Sequence, residues 1–230
     1  MPDSVKDLFD DKAQSWSQKY RAGGPLAERR DRIVRAIALR LSPPARLLDF
    51  GCGTGDLALQ LQTLGYAVVG CDLSSKMLSV ARQRGSGVEW RQLTTDPGLP
   101  FRDHEFDAVV ASSVLEYVDD LPQVLNELSR IVRTRGLLFV TAPNLRHPVR
   151  WVEWLARRLA LRAVPGWLNF SHPLVNYARY LKMSRNRLSL SNWAAILWDS
   201  GFSLAPEGSG NPGSLVLLVA QRMTAIQGRT

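Results

Sequence analysis

Apolar residues recur along the chain at two different spacings, which separate predicted helices from predicted strands. In residues 4–20 and 26–41 they recur every three or four positions, which predicts two amphipathic helices around a Gly-Gly-Pro break. Short apolar runs predict strands at 46–50, 67–71, 88–93, 106–111, 136–142, 203–206 and 214–221. Helical patterns at 56–64, 75–84 and 120–131 lie between the first five of these runs. This alternation predicts a doubly wound α/β fold with a mostly parallel seven-stranded sheet.

The predicted elements divide the chain into four parts. N-terminal helices occupy residues 1–45, and the alternating strands and helices of the core occupy 46–142. A helical insertion at 143–190 comes before the last two strands, which complete the core sheet within 191–230.

Composition narrows the class of protein. The chain has 230 residues, of which 45% are apolar, which is enough for one domain with an elaboration. With only two cysteines, Cys52 and Cys71, the composition does not fit a disulfide scaffold and favours a reducing compartment. The first twelve residues have no apolar signal segment, and no apolar run reaches the roughly 18 residues of a membrane span. We therefore expect a cytoplasmic protein.

The net charge of +8 comes from one part of the chain. Residues 143–190 contain nine basic side chains and one acidic side chain, whereas the basic and acidic residues balance in 1–142 and in 191–230. We therefore expect the role of the excess positive charge to lie in this segment alone.

The strongest local motif is the glycine-rich turn Leu-Leu-Asp-Phe-Gly-Cys-Gly-Thr-Gly-Asp at 47–56, between the first strand and the next helix. Three glycines in five residues let the backbone turn tightly and approach a ligand closely. Asp72 ends the second strand, where its carboxylate can accept hydrogen bonds from two ribose hydroxyls. Together these features predict a site for a nucleoside-bearing cofactor.

The spacing of the glycines favours a cationic ligand over a dinucleotide. Dinucleotide sites prefer G-x-G-x-x-G, with a pyrophosphate at the helix N-terminus. Here the spacing is G-x-G-x-G, Asp56 begins the helix, and Asp49 adds another carboxylate. A sulfonium with an α-amino group and no phosphate suits this turn better.

The segments LLDFGCGTGDLA and VVGCDLS resemble the first two cofactor motifs of class I S-adenosylmethionine-dependent methyltransferases. Further matches are Leu-Pro-Phe at 99–101, FDAVV at 106–110 and SVLEYV at 113–118, so the resemblance covers residues 47–142. It implies the Rossmann-like methyltransferase fold, with S-adenosylmethionine as cofactor and S-adenosylhomocysteine as product.

The resemblance also implies which residues bind the cofactor. They are Tyr20, Asp49, Gly51, Cys52, Gly53, Gly55, Asp72, Leu73, Met77, Thr95, Asp96 and Ser112. Asp49 would orient the amino group, directly or through the loop, and Asp72 would hold the ribose. Trp16 is a further aromatic candidate for covering the cofactor, or a core residue of its helix.

The segment after the third core motif is similar to ubiquinone-biosynthesis-type O-methyltransferases and their relatives. Metal-dependent members have a Glu and a His around the motif that SSVLEYV matches. Here Ser113 and Tyr117 stand at those positions and leave only Glu116, so no metal is expected.

Methyl transfer depends mainly on desolvation and alignment, and a general base is needed only when the nucleophile is a hydroxyl. His104 lies in a polar turn, whereas His147 and His172 flank the basic insertion. The candidate catalytic residues are His172 and Tyr117.

The basic insertion predicts an amphipathic helix at 147–163. An apolar arc and several arginines share this helix with Trp151 and Trp154, a combination typical of helices that lie in a membrane interface. The helix can instead be a lid whose apolar arc packs on the domain, and both roles can hold together. We predict peripheral membrane contact through 147–170.

Several residues of the insertion are candidates for binding the acceptor. They are Trp151, Trp154, Tyr177 and Tyr180, with Lys182, Arg185 and Arg187 as further candidates for holding an anionic acceptor or closing the pocket.

The sequence thus favours methyl transfer to a hydrophobic or lipid-linked small molecule and leaves the acceptor atom and oligomeric state open. An RNA or protein acceptor and a non-catalytic cofactor-binding module are the alternatives. Nucleic acid is less favoured because the basic segment is rich in Trp and Leu and contains no known RNA-binding module.

Overall fold

The computed structural model describes residues 4–21, 24, 26–94, 98–160, 180–205 and 213–224. A seven-stranded sheet runs through the molecule in the order β3-β2-β1-β4-β5-β7-β6. All neighbouring strands pair in parallel except β7, which is antiparallel to both β5 and β6. The predicted doubly wound, mostly parallel sheet is confirmed.

The strands are β1 (Arg46–Phe50), β2 (Ala67–Asp72), β3 (Glu89–Gln92), β4 (Phe106–Ser112), β5 (Val132–Pro143), β6 (Phe202–Leu204) and β7 (Leu215–Arg222). The helices are α1 (Val5–Asp10), α2 (Ala13–Trp16), α3 (Ala27–Ala38), α4 (Asp56–Thr63), α5 (Ser75–Arg84), α6 (Leu121–Ile131), α7 (Val149–Ala160) and α8 (Leu190–Asp199). Single 3-10 turns cover Ser17–Tyr20 and Leu115–Tyr117, and residues 180–183 are helical.

The N-terminal segment differs from the single helix that its periodicity predicts. It is divided into α1, α2 and the 3-10 turn Ser17–Tyr20. The Ser4 hydroxyl caps α1 by accepting a hydrogen bond from the Asp7 amide, and α1 ends at two consecutive aspartates, which have low helix propensity. The division lets the segment bend over the edge of the sheet instead of passing it as a straight rod.

Both faces of the sheet are buried, as expected for a parallel sheet with helices on each side. One face packs against α6 and α8 through residues such as Leu125 and Trp193. The other packs against α3 and α4 through residues such as Ile37 and Leu61. Because β1, β2, β4 and β5 are parallel, their carboxyl ends meet at one edge, and the loops there form the site.

No helix in the described ranges is both long enough and apolar enough to cross a membrane.

Candidate functional site

A cavity of about 430 Å³ lies at the carboxyl ends of β1, β2 and β4. The glycine turn, the end of β2 and the start of α5 form one side of it, and α1, α2 and the turn Ser17–Tyr20 cover it. The opposite side is formed by the 3-10 turn Leu115–Tyr117, α7, residues 180–187 and the start of β7, together with Phe9 of α1, whose ring contacts Tyr117 and Tyr180. We call the first side the cofactor half and the opposite side the acceptor half.

The glycine turn has three residues in the left-handed region, with φ of 73° at Gly51, 54° at Gly53 and 77° at Gly55. A Cβ on Gly51 would lie 2.6 Å from Val114, and one on Gly55 would lie 2.4 Å from Trp90. The cavity is lined by Gly51 and Gly53. Gly55 is outside the cavity lining, so close packing against Trp90 explains this glycine rather than approach to a ligand.

Asp72 organises the turn from the end of β2. Its two carboxylate oxygens accept hydrogen bonds from the backbone amides of Gly53 and Ser74, both at 2.8 Å. Burial raises the pKa of Asp72, against the effect of these amide donors. Because each oxygen retains a lone pair, the carboxylate can still accept hydrogen bonds from a ligand in the cavity.

Asp49 is a buried carboxylate behind the same turn. Burial and the nearby Asp72 carboxylate raise the pKa of Asp49 to about 7. One of its oxygens has no hydrogen-bond partner among the described residues. It borders a separate void of about 20 Å³, which is enough for one water molecule, rather than the main cavity. Of the two predicted routes to a ligand, the one through the loop therefore fits the structure better.

Asp56 begins α4, but its negative charge is compensated. It accepts a hydrogen bond from the Thr54 hydroxyl at 2.5 Å and an ion pair from Arg84 at 2.7 Å. The Arg84 guanidinium also donates to the Thr54 carbonyl at 2.8 Å. The helix N-terminus is thus occupied by a carboxylate of the protein itself, which disfavours a phosphate there.

Aromatic side chains of the N-terminal segment cover the cavity. The Trp16 indole lies 3.5 Å from the position of a Cβ on Gly53, and its ring meets Phe9 edge-on with centroids 5.5 Å apart. Tyr20 also lines the cavity, and burial raises its pKa. Leu73 and Met77 line the same half from the start of α5.

The loop after β4 joins the two halves. Ser113 has a φ of 54°, and its amide donates to the Thr141 hydroxyl at 2.8 Å. Arg29 of α3 donates to the Ser113 hydroxyl at 2.6 Å, so α3 is tied to this loop. Ser112, Ser113 and Arg29 all line the cavity.

A second polar cluster lies in the acceptor half. The half-buried Glu116 carboxylate accepts a hydrogen bond from the Ser184 hydroxyl at 2.8 Å, and it lines the cavity beside Tyr117. Burial raises the pKa of Glu116, and burial together with the Glu116 charge raises that of Tyr117. The Tyr117 ring packs on Phe9 and Tyr180, with centroids 5.7 and 6.5 Å away. The Tyr180 hydroxyl is buried with no hydrogen-bond partner in the described chain.

The third cluster anchors α7. Arg150 donates to both carboxylate oxygens of Glu153 at 2.7 and 2.6 Å, and Arg187 donates to the same carboxylate at 2.6 Å. All three side chains line the cavity, and Glu153 is 4% exposed. The helix therefore turns charged residues inward. Of its described side chains, Trp151, Val152, Trp154 and Leu155 are 78%, 65%, 54% and 50% exposed.

This orientation corrects part of the sequence interpretation of α7. A lid would pack the apolar arc on the domain, but of the arc's described members Val149 is only partly buried, and Val152 and Leu155 are exposed. Trp151 and Trp154, expected at the acceptor, are outside the cavity lining. The physical reason is that the Arg187–Glu153 ion pair and the hydrogen bond from Arg150 to the Ser214 carbonyl fix the charged side of the helix to the core, which leaves the opposite side exposed.

The structure brings most of the other predicted site residues together. Those that line the cavity are Tyr20, Gly51, Cys52, Gly53, Asp72, Leu73, Met77, Ser112, Tyr117 and Tyr180. Thr95, Asp96, His172 and Tyr177 lie outside the described residues. His104 and His147 are not among the lining residues.

Sequence reasoning missed three lining residues of clear importance: Phe9, Arg29 and Glu153. Glu153 could have been singled out from the sequence, because it is the only acidic residue of the basic insertion. Arg29 could not, since its contact with Ser113 joins positions 84 residues apart.

No group of three or more His, Cys, Asp or Glu side chains within the described ranges is arranged to hold a metal ion.

Comparison with known proteins identifies the class. A methyltransferase domain family model matches residues 48–140. The ubiquinone biosynthesis O-methyltransferase of Dechloromonas aromatica is 30% identical over 199 residues, which cover 83% of this chain and 80% of the relative. The chain belongs to the class I S-adenosylmethionine-dependent methyltransferases.

Two further similarities place the chain within this class. The demethylmenaquinone methyltransferase of Streptomyces avermitilis is 31% identical over 214 residues, covering 86% of this chain and 89% of the relative. The fold is similar to that of magnesium protoporphyrin IX methyltransferase from Synechocystis with bound S-adenosylhomocysteine, with a TM-score of 0.67 and 20% identity. That match covers 95% of this chain and 98% of the other.

S-adenosylmethionine is therefore the cofactor of this enzyme. The residues present fit this cofactor. Gly53 and the Asp72 carboxylate line the same cavity, and among the described residues no cation forms an ion pair with Asp72. Above its pKa of about 7, the Asp49 carboxylate adds negative potential behind the turn, which suits a cationic ligand.

Proposed function

We propose that the enzyme methylates a hydrophobic, lipid-linked small molecule of quinone type. The single observation that carries this proposal is the shape of the cavity, which continues from the cofactor half into an acceptor half lined by Phe9, Tyr117, Tyr180 and Leu215. Aromatic and aliphatic walls favour an apolar acceptor. The relatives named for ubiquinone and menaquinone biosynthesis support the same substrate class.

In this proposal the cofactor half binds S-adenosylmethionine through a few defined contacts. Asp72 accepts hydrogen bonds from the ribose hydroxyls, and Gly51 and Gly53 lie against the methionine portion. Leu73 and Met77 border the adenine. When bound, the cofactor supplies an electrophilic methyl group on a positively charged sulfur.

The chain itself contributes alignment, exclusion of water and a place for a proton. Trp16 and Tyr20 cover the turn and keep water from the reacting atoms. If the acceptor is a hydroxyl, its proton would pass toward the Glu116 carboxylate, which lines the cavity beside Tyr117. Tyr117 would then orient the acceptor, and His172 stays a second candidate for the general base.

The experiment that tests this function measures S-adenosylhomocysteine release with a panel of acceptors. Reduced short-chain quinones lacking one methyl or methoxy group are compared with small polar catechols and with bulk RNA. We expect turnover with the quinols in detergent and little with the polar catechols. Turnover with RNA alone would contradict the proposal and favour the nucleic-acid alternative.

We further propose that the exposed side of α7 contacts an anionic membrane surface. The exposed side of this helix carries Trp151, Val152, Trp154 and Leu155, and its other side is fixed to the core by the Glu153–Arg187 ion pair. Indole rings and aliphatic side chains beside arginines are typical of interfacial helices. Since residues of α7 also line the cavity, contact would bring a lipid-linked acceptor close to its site.

Co-sedimentation with phospholipid vesicles tests this contact, comparing phosphatidylcholine alone with mixtures that contain phosphatidylglycerol. We expect the mixed vesicles to bind the protein, and a Trp151→Ala/Trp154→Ala variant to bind about tenfold more weakly. Trp198→Ala is the matched control, because Trp198 is 55% exposed on α8. Equal binding by both variants would contradict the role of α7.

A further inference from the structure

Arginines outnumber acids where α7 meets the acceptor half of the cavity. Arg150 and Arg187 converge on the single carboxylate of Glu153, and their side chains are only 12% and 15% exposed. The structure also separates two arginines that the sequence could not distinguish. Arg185 is 63% exposed and pairs with Asp119, whereas Arg187 lines the cavity.

Arg187 has hydrogen-bonding capacity left. Its Nη2 donates to Glu153, but its Nε is buried and has no hydrogen-bond partner among the described residues. Arg150 is more fully used, because its Nε also donates to the Asn144 carbonyl at 3.2 Å. A buried guanidinium donor without a partner costs free energy, and an acceptor oxygen on a ligand would relieve that cost.

The charges facing this position leave a positive excess. Glu153 compensates one of the two arginines, and Glu116 is the other acid among the described lining residues of the acceptor half. Arg29 adds a third cation to the cavity lining, and its charge acts on Glu116 together with that of Arg187. Three arginines thus face two carboxylates, so one positive charge remains even with Glu116 ionised, and an anionic ligand group would gain where a neutral group would not.

We propose that Arg187, beside the Arg150–Glu153 pair, binds a carboxylate of the acceptor. This inference rests on the proposed function and adds to it, because it makes the acceptor an aromatic or lipid-linked molecule that also carries an acid group. A carboxylate matches the planar donor fork of arginine, and its single charge matches the excess better than a phosphate does. The acid group would fix the acceptor at one end, with the reacting atom toward the cofactor.

Two probes of nearly equal shape test the proposal. 6-Hydroxy-2-naphthoate carries the acid, and 6-hydroxy-2-naphthamide replaces it with a neutral amide. Each is titrated into protein saturated with S-adenosylhomocysteine and followed by naphthyl fluorescence. We expect the acid to bind at least about tenfold more tightly than the amide.

Variants assign the preference to Arg187. Arg187→Gln should bring the ratio of affinities for the acid and the amide close to one. Arg187→Lys should retain part of the preference, because lysine keeps the positive charge but not the planar pair of donors. Arg185→Gln is the control and should keep the full ratio, since its side chain is outside the cavity lining. Equal binding of the two probes to the wild type, no binding of the acid, or a full ratio in Arg187→Gln would overturn the proposal.

The binding of S-adenosylhomocysteine, measured first in every variant, separates this inference from the function on which it rests. Loss of that binding in the wild type would contradict the proposed function itself. Intact binding with no preference for the acid would contradict only the carboxylate site. If Arg187→Gln weakened the binding of the acid and of the amide by the same factor, Arg187 would serve only to anchor α7, and the carboxylate site would be contradicted.

Discussion

The two halves of the cavity are built in different ways. The cofactor half comes mainly from one continuous stretch, from the end of β1 through the start of α5, and its key contacts are backbone amides held by Asp72. The acceptor half is assembled from α1, the loop after β4, α7 and residues 180–187, which are distant in sequence. Its contacts are between side chains, as in the Arg150–Glu153–Arg187 cluster.

This difference implies that the cofactor half tolerates few substitutions, whereas the acceptor half tolerates more. A turn defined by backbone geometry tolerates few substitutions, because left-handed φ values exclude most side chains. A wall made of side chains on several elements can be altered one residue at a time without disturbing the turn. The enzyme therefore couples a fixed cofactor half to an adjustable acceptor half.

The largest effect is expected at Gly53 in the cofactor half. Gly53→Val places a β-branched side chain at a φ of 54° and adds atoms toward Trp16. We expect affinity for S-adenosylhomocysteine to fall about a hundredfold by calorimetry, from backbone strain and lost space. Gly98→Ala is the control, since a Cβ there meets nothing within 4 Å. Unchanged affinity in Gly53→Val would break the proposed division of the cavity.

A smaller effect concerns the dependence of stability on pH. Burial and the Asp72 charge raise the pKa of Asp49 to about 7, so the folded protein holds a proton that the unfolded chain has already released. The contribution of Asp49 to stability therefore decreases as pH rises from about 4 to about 7.

Asp49→Asn removes this titration. In urea unfolding without cofactor, we expect the variant to gain stability over the wild type between acid and neutral pH, by roughly 1–3 kcal/mol. Above pH 7, the same variant should lose more affinity for S-adenosylmethionine than for S-adenosylhomocysteine, because only the former carries the sulfonium charge that the Asp49 carboxylate favours. Asp31→Asn, at a carboxylate 44% exposed, should show no such pH-dependent gain. A parallel pH profile for Asp49→Asn and wild type would contradict the account of this buried acid.

The smallest effect is expected in the acceptor half. Tyr117→Phe removes the hydroxyl that would orient the acceptor beside Glu116, so turnover with a quinol acceptor should fall about tenfold while S-adenosylhomocysteine affinity is unchanged. Tyr66→Phe is the matched control, because its hydroxyl donates a partly buried hydrogen bond to the Leu41 carbonyl at 2.7 Å, outside the cavity. If Tyr117→Phe weakened cofactor binding instead, the two halves would not be separable.

The same difference explains how far the sequence could be interpreted. All seven strands and the glycine turn were predictable, because they depend on local periodicity and on residues close in the chain. The contact of Arg29 with Ser113 was not, because only the folded sheet brings these residues together. Periodicity located α7 but left open which of its sides faces the core, because that depends on the Arg187–Glu153 ion pair and on the hydrogen bond from Arg150 to the Ser214 carbonyl, which join residues distant in sequence.

The most direct test of the central claim is calorimetric titration of S-adenosylhomocysteine into the wild type and an Asp72→Ala variant, with NADH as a competing ligand. The account predicts micromolar binding of S-adenosylhomocysteine to the wild type, at least about a hundredfold weaker binding to the variant, and no binding of NADH. Binding of NADH, or equal affinity of both proteins for S-adenosylhomocysteine, would contradict the assignment of Asp72 and of the cofactor half to this ligand.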